Sequence, residues 1–354
     1  MTPRKIRVVV VDDSVLVRRV LSEAISREPD MEVVAVAPDA FVARDCILAA
    51  NPDVITLDIE MPRMDGLTFL TKLMRYRPLP VIVVSSLAQA TCDIALEALR
   101  RGAVEVMAKP SGPNAVSEVS RLLPEKIRSA YCARLRTPGA APAPEGTAMP
   151  ALLSMPGAAS GLIAIGASTG GTQAIEDVLS QMPADCPPML IAQHIPPVFS
   201  AAFASRLNSV CTMEVKEARD GDLVSAGLVL VAPGDFHMLL QKTDGVTRVA
   251  VRKGPRVHYQ RPAVDVLFRS IAAIGPPNAV GVLLTGMGSD GAEGLLEMRK
   301  AGAWTIAQDE ASSVVFGMPK AAAAIGAAQQ ILALSQVAQG ALRALMWNPA
   351  ARGF

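Results

Sequence analysis

A serine that follows an apolar segment is the residue of this chain with the clearest chemical potential. Residues 162–172 read LIAIGASTGGT, in which an apolar strand pattern runs into Gly-Ala-Ser-Thr-Gly-Gly and a helical pattern follows. This layout places the Ser168 hydroxyl at the carboxyl end of a strand, beside the free backbone N–H groups of a helix N-terminus. A serine in that position is a candidate nucleophile.

A serine hydroxyl needs a base, and the chain contains three histidines, His194, His237 and His258. His194 ends the next predicted strand, PMLIAQH, so in a parallel sheet it reaches the same edge as Ser168. We therefore expect His194 to be the base. His237 and His258 lie in predicted loops, where each contacts substrate or is a solvated surface residue.

An orienting carboxylate is expected from another strand end, and the segment VGVLLTGMGSDGAEG supplies Asp290 in a glycine-rich turn. Asp290 could hold one imidazole tautomer and stabilise the imidazolium, although a solitary Asp in Ser-Asp-Gly is more often a helix cap or a turn residue. The backbone N–H groups near Thr169 and Met287 are the predicted oxyanion donors, because both residues lie in tight turns that contain glycine.

The serine turn has alternative interpretations. Because no lysine follows the glycines and the pattern G-x-G-x-x-G is absent, a nucleotide site is a weak alternative. Residues 166–170 match G-x-S-x-G. The order Ser168, His194, Asp290 nevertheless differs from that of ordinary α/β-hydrolases, in which the acid precedes the histidine.

A second set of reactive side chains lies in the N-terminal half. Asp12 and Asp13 follow the first predicted strand, Asp58 ends the third, Ser85 ends the fourth and Lys109 follows the fifth. These strand ends meet at one edge of an open parallel sheet, where three carboxylates repel one another unless a hard cation such as Mg²⁺ lies among them. The pocket predicts a phosphoryl group on Asp58, with Mg²⁺, Lys109 and the Ser85 hydroxyl compensating its charge.

The elements that position these residues alternate in both halves between short apolar strands and amphipathic helices. This pattern predicts an α/β fold with two doubly wound parallel-sheet domains. An Asp-Gly within residues 241–251 predicts an inserted β-hairpin in the second half. The predicted strands are residues 6–11, 31–37, 54–57, 81–84, 104–107, 162–165, 188–193, 229–232, 279–284 and 303–307.

A proline- and alanine-rich segment divides the two halves. Residues 137–160 contain five prolines, many Ala and Gly residues and a single charged side chain, that of Glu145. This composition suits an extended linker between domains. We predict a first domain at residues 4–128, a linker at residues 129–160 and a second domain at residues 161–350.

Composition limits the classes of function. The chain of 354 residues is 51% hydrophobic but only 4% aromatic, which indicates two aliphatic cores, and its net charge of +1 without a basic stripe argues against nucleic-acid binding. No apolar run approaches about 18 residues and no signal-peptide pattern is present, so we expect a cytoplasmic protein without membrane insertion. Five scattered cysteines suggest neither a disulfide framework nor a zinc site.

The first half resembles the response-regulator receiver domain over about residues 4–128, through VVDDS, LDIEMPRMDG and AKP. The resemblance implies that Asp58 accepts the phosphoryl group, that Asp12 and Asp13 hold Mg²⁺ together with it, that Ser85 is the switch hydroxyl and that Lys109 senses the phosphoryl group.

One position departs from the receiver pattern. Val106 stands where receivers often carry an aromatic residue, three positions before Lys109. Because of this departure the resemblance does not predict the usual hydroxyl–aromatic switch, whereas phosphorylation of Asp58 is still expected.

Residues 161 to about 347 resemble the catalytic domain of the chemotaxis protein-glutamate methylesterase (CheB) family. The matching segments are IGASTGGT, QHIP, VAPGDFHM, RPAVDVLFRS, LLTGMGSDGAEG and AQDEASSVVFGMP. The resemblance implies a serine esterase that hydrolyses γ-glutamyl methyl esters on chemoreceptor signalling helices and deamidates certain receptor glutamines. It implies Ser168, His194 and Asp290 as the catalytic triad, and no cofactor for the esterase chemistry.

The resemblance also implies partners and regulation. Receptor helices are the expected substrate, a histidine kinase of the CheA type is the expected phosphodonor, and we expect a monomer. The two-domain architecture further suggests that the unphosphorylated receiver packs over the strand-end edge that holds Ser168, and that phosphorylation of Asp58 shifts the population toward an open arrangement. Two alternatives are a phospho-dependent binding module with an inactive second domain and a methylesterase paralogue of a non-flagellar chemosensory pathway.

Overall fold

The computed structural model describes residues 4–86, 88–110, 115–135, 161–275 and 278–346. The chain divides into two compact units, Met1–Pro142 and Ala143–Phe354. Of the linker that we predict at residues 129–160, the first residues belong to the last helix of the first unit, and residues 136–160 lie outside the described part of the chain.

The first unit is a five-stranded parallel sheet in the order β2-β1-β3-β4-β5, with helices between successive strands. Its strands are β1 (Ile6–Val11), β2 (Met31–Ala37), β3 (Val54–Asp58), β4 (Val81–Ser85) and β5 (Glu105–Ala108), and its helices are α1 (Val15–Ser26), α2 (Ala40–Ala50), α3 (Gly66–Tyr76), α4 (Gln89–Arg100) and α5 (Ala115–Tyr131). The strand order reverses between β1 and β3, which is where open α/β sheets bind ligands.

Local sequence explains the central elements of this unit. β1 reads IRVVVV and β3 reads VITLD, and nearly every residue of both strands is buried, as expected for central strands covered by helices on both faces. The side chains of Ser14, Asp39 and Asp65 accept hydrogen bonds from the first backbone N–H groups of α1, α2 and α3. These caps fix where each helix begins after its strand end.

The second unit is a seven-stranded parallel sheet in the order β14-β13-β12-β6-β7-β9-β8, with a separate hairpin. In chain order its elements are β6 (Leu162–Ala167), α6 (Gly171–Leu179), β7 (Met189–Gln193), α7 (Phe199–Val210), β8 (Glu214–Glu217), β9 (Leu228–Val231), the hairpin strands β10 (His237–Thr243) and β11 (Val246–Arg252), α8 (Val264–Ile274), β12 (Ala279–Leu283), α9 (Ala292–Lys300), β13 (Trp304–Gln308), α10 (Met318–Ala324), β14 (Gln330–Leu332) and α11 (Leu334–Met346).

The predicted fold class is confirmed, and two strands of the second sheet are additional to the prediction. β8 reads EVKE and β14 has three residues that are mostly exposed. Both lie at the edges of the sheet, where one side of the strand faces solvent and polar residues are common. An apolar pattern therefore does not mark them. The hairpin is also longer than the predicted residues 241–251.

The core of the second unit is mainly aliphatic, with Phe268 of α8 among its largest fully buried side chains. In neither unit is any helix within the described residues long and apolar enough to cross a membrane.

Gly166 marks a close approach between β6 and the start of α8. A Cβ atom at this position would overlap the Val264 side chain. We predict that Gly166→Ala lowers the free energy of unfolding of the second unit by about 1–3 kcal/mol, the usual cost of overpacking a core. Denaturant unfolding of the full chain measures this change.

Two variants control the Gly166 experiment. Gly166→Ala combined with Val264→Ala removes the overlapping methyl groups and should recover part of the loss. Gly254→Ala, where the added Cβ would make one ordinary contact at 3.4 Å, should change stability by less than about 0.5 kcal/mol. Equal losses in Gly166→Ala and Gly254→Ala would contradict the packing account.

Candidate active site

Ser168 follows the last residue of β6 and is held through its backbone. Its N–H donates to the Thr285 carbonyl at 3.0 Å, and its carbonyl accepts from the Gly171 N–H at 2.7 Å and from Gln193 Nε2 at 2.8 Å. Gly170, with φ of +75°, turns the chain into α6 in a conformation that costs glycine little. The half-buried Ser168 side chain therefore lies at the carboxyl edge of the sheet, before a helix N-terminus.

His194 follows the adjacent strand at the same level. β6 and β7 pair with Ala167 opposite Gln193, so Ser168 and His194 are the next residues of two neighbouring strands. The His194 N–H donates to the Ala167 carbonyl at 3.1 Å. This strand register places Ser168 and His194 next to each other at the carboxyl edge of the sheet.

The His194 imidazole is bound to Asp290, with 2.7 Å between Nε2 and Asp290 Oδ2. With Nε2 occupied, Nδ1 is the ring nitrogen left for a proton transfer with Ser168. Within the described residues no hydrogen bond joins the Ser168 hydroxyl to His194, and catalytic hydrogen bonds often form only when substrate binds.

Asp290 is almost completely buried and lies at the N-terminus of α8. Its carboxylate accepts the N–H of Val264 at 2.7 Å and that of Asp265 at 3.0 Å, in addition to the His194 ring. Burial works to raise the pKa of Asp290, but the hydrogen bond and charge of His194 and the two helix N–H groups hold it below its usual range. Asp290 is therefore ionised and able to orient His194.

A second histidine–carboxylate pair lies beside the first. The buried Asp265 accepts a hydrogen bond from the Gly294 N–H at 2.7 Å, and its other oxygen is 3.1 Å from His258 Nε2. Burial raises the pKa of Asp265, and the neighbouring Asp290 charge adds to that effect. His258 is thus engaged with its own acid rather than with Ser168.

His237, the third histidine, is a buried structural residue. Its Nδ1 accepts the Ala263 N–H at 3.2 Å, and its Nε2 is 2.9 Å from the Pro255 carbonyl. Both ring nitrogens are therefore used in joining β10 to the segment that leads into α8, and neither is available to a substrate.

The structure identifies two positioning residues that the sequence analysis does not predict, Gln193 and Thr285. The Gln193 side chain is buried, and its Nε2 donates to the carbonyls of both Ser168, at 2.8 Å, and His194, at 3.2 Å. Thr285 Oγ1 donates to the Thr169 carbonyl at 2.9 Å and accepts the Val315 N–H at 2.9 Å. The only sequence signal for either residue is a polar side chain at the end of a buried apolar strand.

The turns of the expected oxyanion donors lie on both sides of Ser168. Thr169 is buried, and Thr285 anchors its carbonyl. A Cβ at Gly286 would lie 2.7 Å from Ser168 Cβ, so the backbone leading into Met287 lies against the serine. The geometry is compatible with N–H donors from both turns, and their role stays a prediction.

The first unit has a separate cluster of charged residues at its sheet edge. One oxygen each of Asp12, Asp13 and Asp58 lie within 4.8 Å of one another. Lys109 Nζ is 2.7 Å from Asp58 Oδ2 and 3.7 Å from Asp12 Oδ2. Ser85 ends β4 and is buried, with its hydroxyl 3.4 Å from the Ser86 carbonyl.

The electrostatics of this cluster fit a divalent cation. Burial, and then repulsion from Asp58, raise the pKa of Asp12 to about 6, and burial also raises the pKa of Asp58. Asp12 Oδ2 is buried without a hydrogen-bond partner in the described part of the chain. A hard cation such as Mg²⁺ would satisfy that oxygen and neutralise the repulsion.

The Asp12 pKa predicts a pH dependence of stability. Because the folded-state pKa of about 6 lies above the ordinary value of 3.8, the native state binds more protons than the unfolded chain between these values, and stability falls as pH rises through this window. We predict that Asp12→Asn raises the free energy of unfolding of the first unit by about 1–3 kcal/mol at pH 7, and by little at pH 4.

Thermal unfolding at both pH values measures this difference. Mg²⁺ should stabilise the original protein at pH 7 much more than the Asp12→Asn variant. Asp13→Asn is the matched control, because Asp13 is exposed and its charge costs less on folding. A variant less stable than the original chain at pH 7 without Mg²⁺ would refute the repulsion between Asp12 and Asp58.

Comparison with known proteins assigns both units to known families. Residues 163–340 match the family described as CheB methylesterase, and residues 8–120 match the response regulator receiver domain. The chain is 52% identical to protein-glutamate methylesterase/protein-glutamine glutaminase 2 of Syntrophus aciditrophicus, over 96% of this chain and 99% of that protein. It is 50% identical to the Salmonella typhi protein-glutamate methylesterase/protein-glutamine glutaminase, over 98% and 99%.

A solved structure agrees with the second unit. The crystal structure of the Thermotoga maritima CheB methylesterase catalytic domain superposes with a TM-score of 0.51 and 35% identity, over 52% of this chain and 98% of that one. The chain therefore belongs to the CheB family of protein-glutamate methylesterases/protein-glutamine glutaminases, with a response-regulator receiver domain at its N-terminal end.

Proposed function

We propose that this chain hydrolyses γ-glutamyl methyl esters, and deamidates particular glutamines, on chemoreceptor proteins, under the control of phosphorylation at Asp58. The observation that carries the proposal is the hydrogen bond of 2.7 Å between His194 and Asp290. His194 directly follows β7, which pairs with β6, the strand that Ser168 follows. A serine, an imidazole and a buried carboxylate in this order are the components of acyl transfer.

The first half-reaction forms an acyl-enzyme. Ser168 Oγ attacks the ester carbonyl while His194 Nδ1 takes its proton, and the Asp290 carboxylate stabilises the imidazolium. The backbone N–H groups near Thr169 and Met287 bind the oxyanion. The imidazolium then gives its proton to the departing methoxide, so that methanol leaves and a glutamyl ester of Ser168 remains.

The second half-reaction releases the product. Water attacks the glutamyl ester, His194 takes a proton from the water, and the proton passes to Ser168 Oγ as the serine leaves. The product is a glutamate carboxylate on the substrate. With a glutamine side chain as substrate, ammonia leaves in the first half-reaction and the second is unchanged.

The first unit supplies the control. Asp58 would accept the phosphoryl group, Asp12, Asp13 and Asp58 would hold Mg²⁺, and Lys109 and Ser85 would contact the phosphoryl oxygens. The bound cation supplies charge neutralisation for phosphoryl transfer. The ion pair between Lys109 and Asp58 must rearrange when Asp58 is modified, because one carboxylate oxygen then carries the phosphoryl group. That rearrangement is the local event that shifts the population of active molecules.

The partners follow from this activity. We propose that the signalling helices of chemoreceptors are the substrate and that a histidine kinase of the CheA type is the phosphodonor. We further propose that the chain acts as a monomer in the cytoplasm.

The nucleophile can be tested by methanol release from methylated receptor. We predict that Ser168→Ala lowers turnover by about a thousandfold or more, and that Asp290→Asn, which removes the negative charge beside the His194 ring, lowers it by about four orders of magnitude. Ser180→Ala, which removes an exposed hydroxyl at the end of α6, is the matched control and should retain full turnover. Normal methanol release by Ser168→Ala would reject the assignment, and no release by the unaltered chain would favour an inactive binding module.

Regulation can be tested with a small-molecule phosphodonor in the presence of Mg²⁺. We predict that phosphodonor raises methanol release by the unaltered chain severalfold or more and has no effect on Asp58→Asn, because the acceptor oxygen is absent. Asp45→Asn removes an exposed carboxylate from α2 and should respond like the unaltered chain. Equal activation of Asp58→Asn would place control elsewhere.

A further inference from the structure

A short segment that leads into α10 packs against the loop after β12. We call residues 315–318 the clamp segment. The Gly286 N–H donates to the Val315 carbonyl at 3.0 Å. The Gly286 carbonyl in turn accepts the N–H of Gly317 at 3.0 Å and that of Met318 at 2.8 Å. Both backbone hydrogen-bonding groups of Gly286 are therefore held by the clamp segment.

Thr285 joins the clamp segment to the ends of two strands. Its buried hydroxyl accepts the Val315 N–H at 2.9 Å, and its own N–H donates to Gln308 Oε1, at the end of β13, at 2.8 Å. The buried Gln308 side chain also donates from Nε2 to the Ser312 carbonyl at 2.9 Å. Buried hydrogen bonds thus fix the start of the clamp segment relative to the sheet.

The clamp segment lies too close to the loop for a side chain to fit between them. A Cβ at Gly317 would lie 2.6 Å from the Gly286 oxygen, 3.0 Å from the Gly288 nitrogen and 3.1 Å from Met287 Cα. All three are backbone atoms, so the loop cannot make room by rotating a side chain. Any residue other than glycine at position 317 must therefore displace the loop backbone.

The clamp segment determines the direction of the Met287 N–H. The trans peptide group that joins Gly286 to Met287 is planar, and its C=O and N–H point in opposite directions. Because two donors hold the carbonyl, the N–H is directed away from the clamp segment and cannot turn without breaking both hydrogen bonds. In the part of the chain that the structure describes, the Met287 N–H has no hydrogen-bond partner. Gly286 is buried and Met287 is exposed, so the chain reaches the surface at this peptide group.

We propose that Gly317 is a positioning residue for hydrolysis, because the clamp segment that it permits holds the Gly286–Met287 peptide group with its N–H oriented as an oxyanion donor. The inference rests on the proposed function. A donor that is oriented before the reaction needs no reorganisation when charge develops on the substrate oxygen. The two hydrogen bonds to the carbonyl also polarise the peptide group, which strengthens its N–H as a donor.

The same loop carries Asp290, so a displaced loop has two routes to lower activity. Loss of an oxyanion donor affects a substrate according to how strongly its carbonyl atom accepts hydrogen bonds. A displaced Asp290 instead impairs the His194 ring, and with it proton transfer for every substrate. A pair of substrates that differ only in the carbonyl atom separates the two routes.

A methyl ester and its thionoester are that pair. Two peptides carry the same central glutamate, one as the γ-methyl ester and the other as the O-methyl thionoester, in which sulfur replaces the carbonyl oxygen. Sulfur is a weak hydrogen-bond acceptor, so the thionoester gains little from an N–H donor. Methanol release gives kcat and KM for both peptides. The rate of fluorophosphonate labelling of Ser168 tests the same donor without a receptor-like substrate.

We expect Gly317→Ala to lower kcat for the ester by about ten- to a hundredfold, with KM little changed. The ratio of kcat/KM for the ester to that for the thionoester should fall by about tenfold, and labelling of Ser168 should slow by about tenfold. Gly281→Ala is the matched control, because its Cβ would lie 2.6 Å from Leu295 Cδ1 and overpacks the core of the same unit. It should leave the ratio and the labelling rate unchanged.

A second pair of variants applies if thermal unfolding shows that Gly317→Ala does not fold. Thr285→Val keeps the shape of the side chain but removes the hydroxyl that accepts the Val315 N–H. The ratio should fall in Thr285→Val and be largely recovered in Thr285→Ser, which keeps the hydroxyl. Equal ratios in these two variants would contradict the role of the clamp segment.

Two results with folded Gly317→Ala would overturn the proposal. An equal loss of ester and thionoester hydrolysis would show that the clamp segment acts through Asp290. An unchanged ratio together with an unchanged labelling rate would show that it has no role in the reaction. Slower labelling of Ser168 in Gly317→Ala, in a chain that does not hydrolyse the ester even when unaltered, would support the clamp segment and contradict the proposed esterase activity.

Discussion

The Asp290 carboxylate at the N-terminus of α8 is the interaction on which the catalytic edge of the second unit depends. It joins three parts of the chain, because it accepts hydrogen bonds from the His194 ring and from the backbone N–H groups of Val264 and Asp265. A buried carboxylate is costly unless it is paired and hydrogen-bonded. The helix N–H groups and the imidazole offset this cost, and the same contacts hold the ring that we propose accepts the serine proton.

The remaining positioning follows from parallel strand pairing. β6 and β7 end together, which places Ser168 beside His194, and β12 lies on the other side of β6, which brings Thr285 and the Gly286–Met287 backbone against the serine turn. The first unit uses the same geometry for different chemistry. There the strand ends carry carboxylates, and burial and mutual repulsion raise the pKa of Asp12, which fits the cation and the phosphoryl group that we propose for this edge.

Features of the fold and of the site that depend on local sequence patterns could be predicted from the sequence. Continuous apolar segments predict the central strands, and strand-end placement selects His194 from the three histidines. Local patterns could not identify Gln193, Thr285 or the Asp265–His258 pair, because their roles arise from contacts between turns that are distant in the chain. The polar edge strand β8 was missed for a related reason, since its pairing with β9 alone defines it. The pKa directions also depend on burial, which only the folded chain provides.

Covalent labelling by an active-site-directed fluorophosphonate, with the modified residue located by peptide mass spectrometry, tests the central claim most directly. A serine that is activated by an imidazole and a buried carboxylate reacts with this reagent, whereas an ordinary exposed serine does not. The account predicts a single adduct on Ser168, which is lost in His194→Gln. An adduct on another residue, or labelling of Ser168 at an unchanged rate without His194, would contradict it.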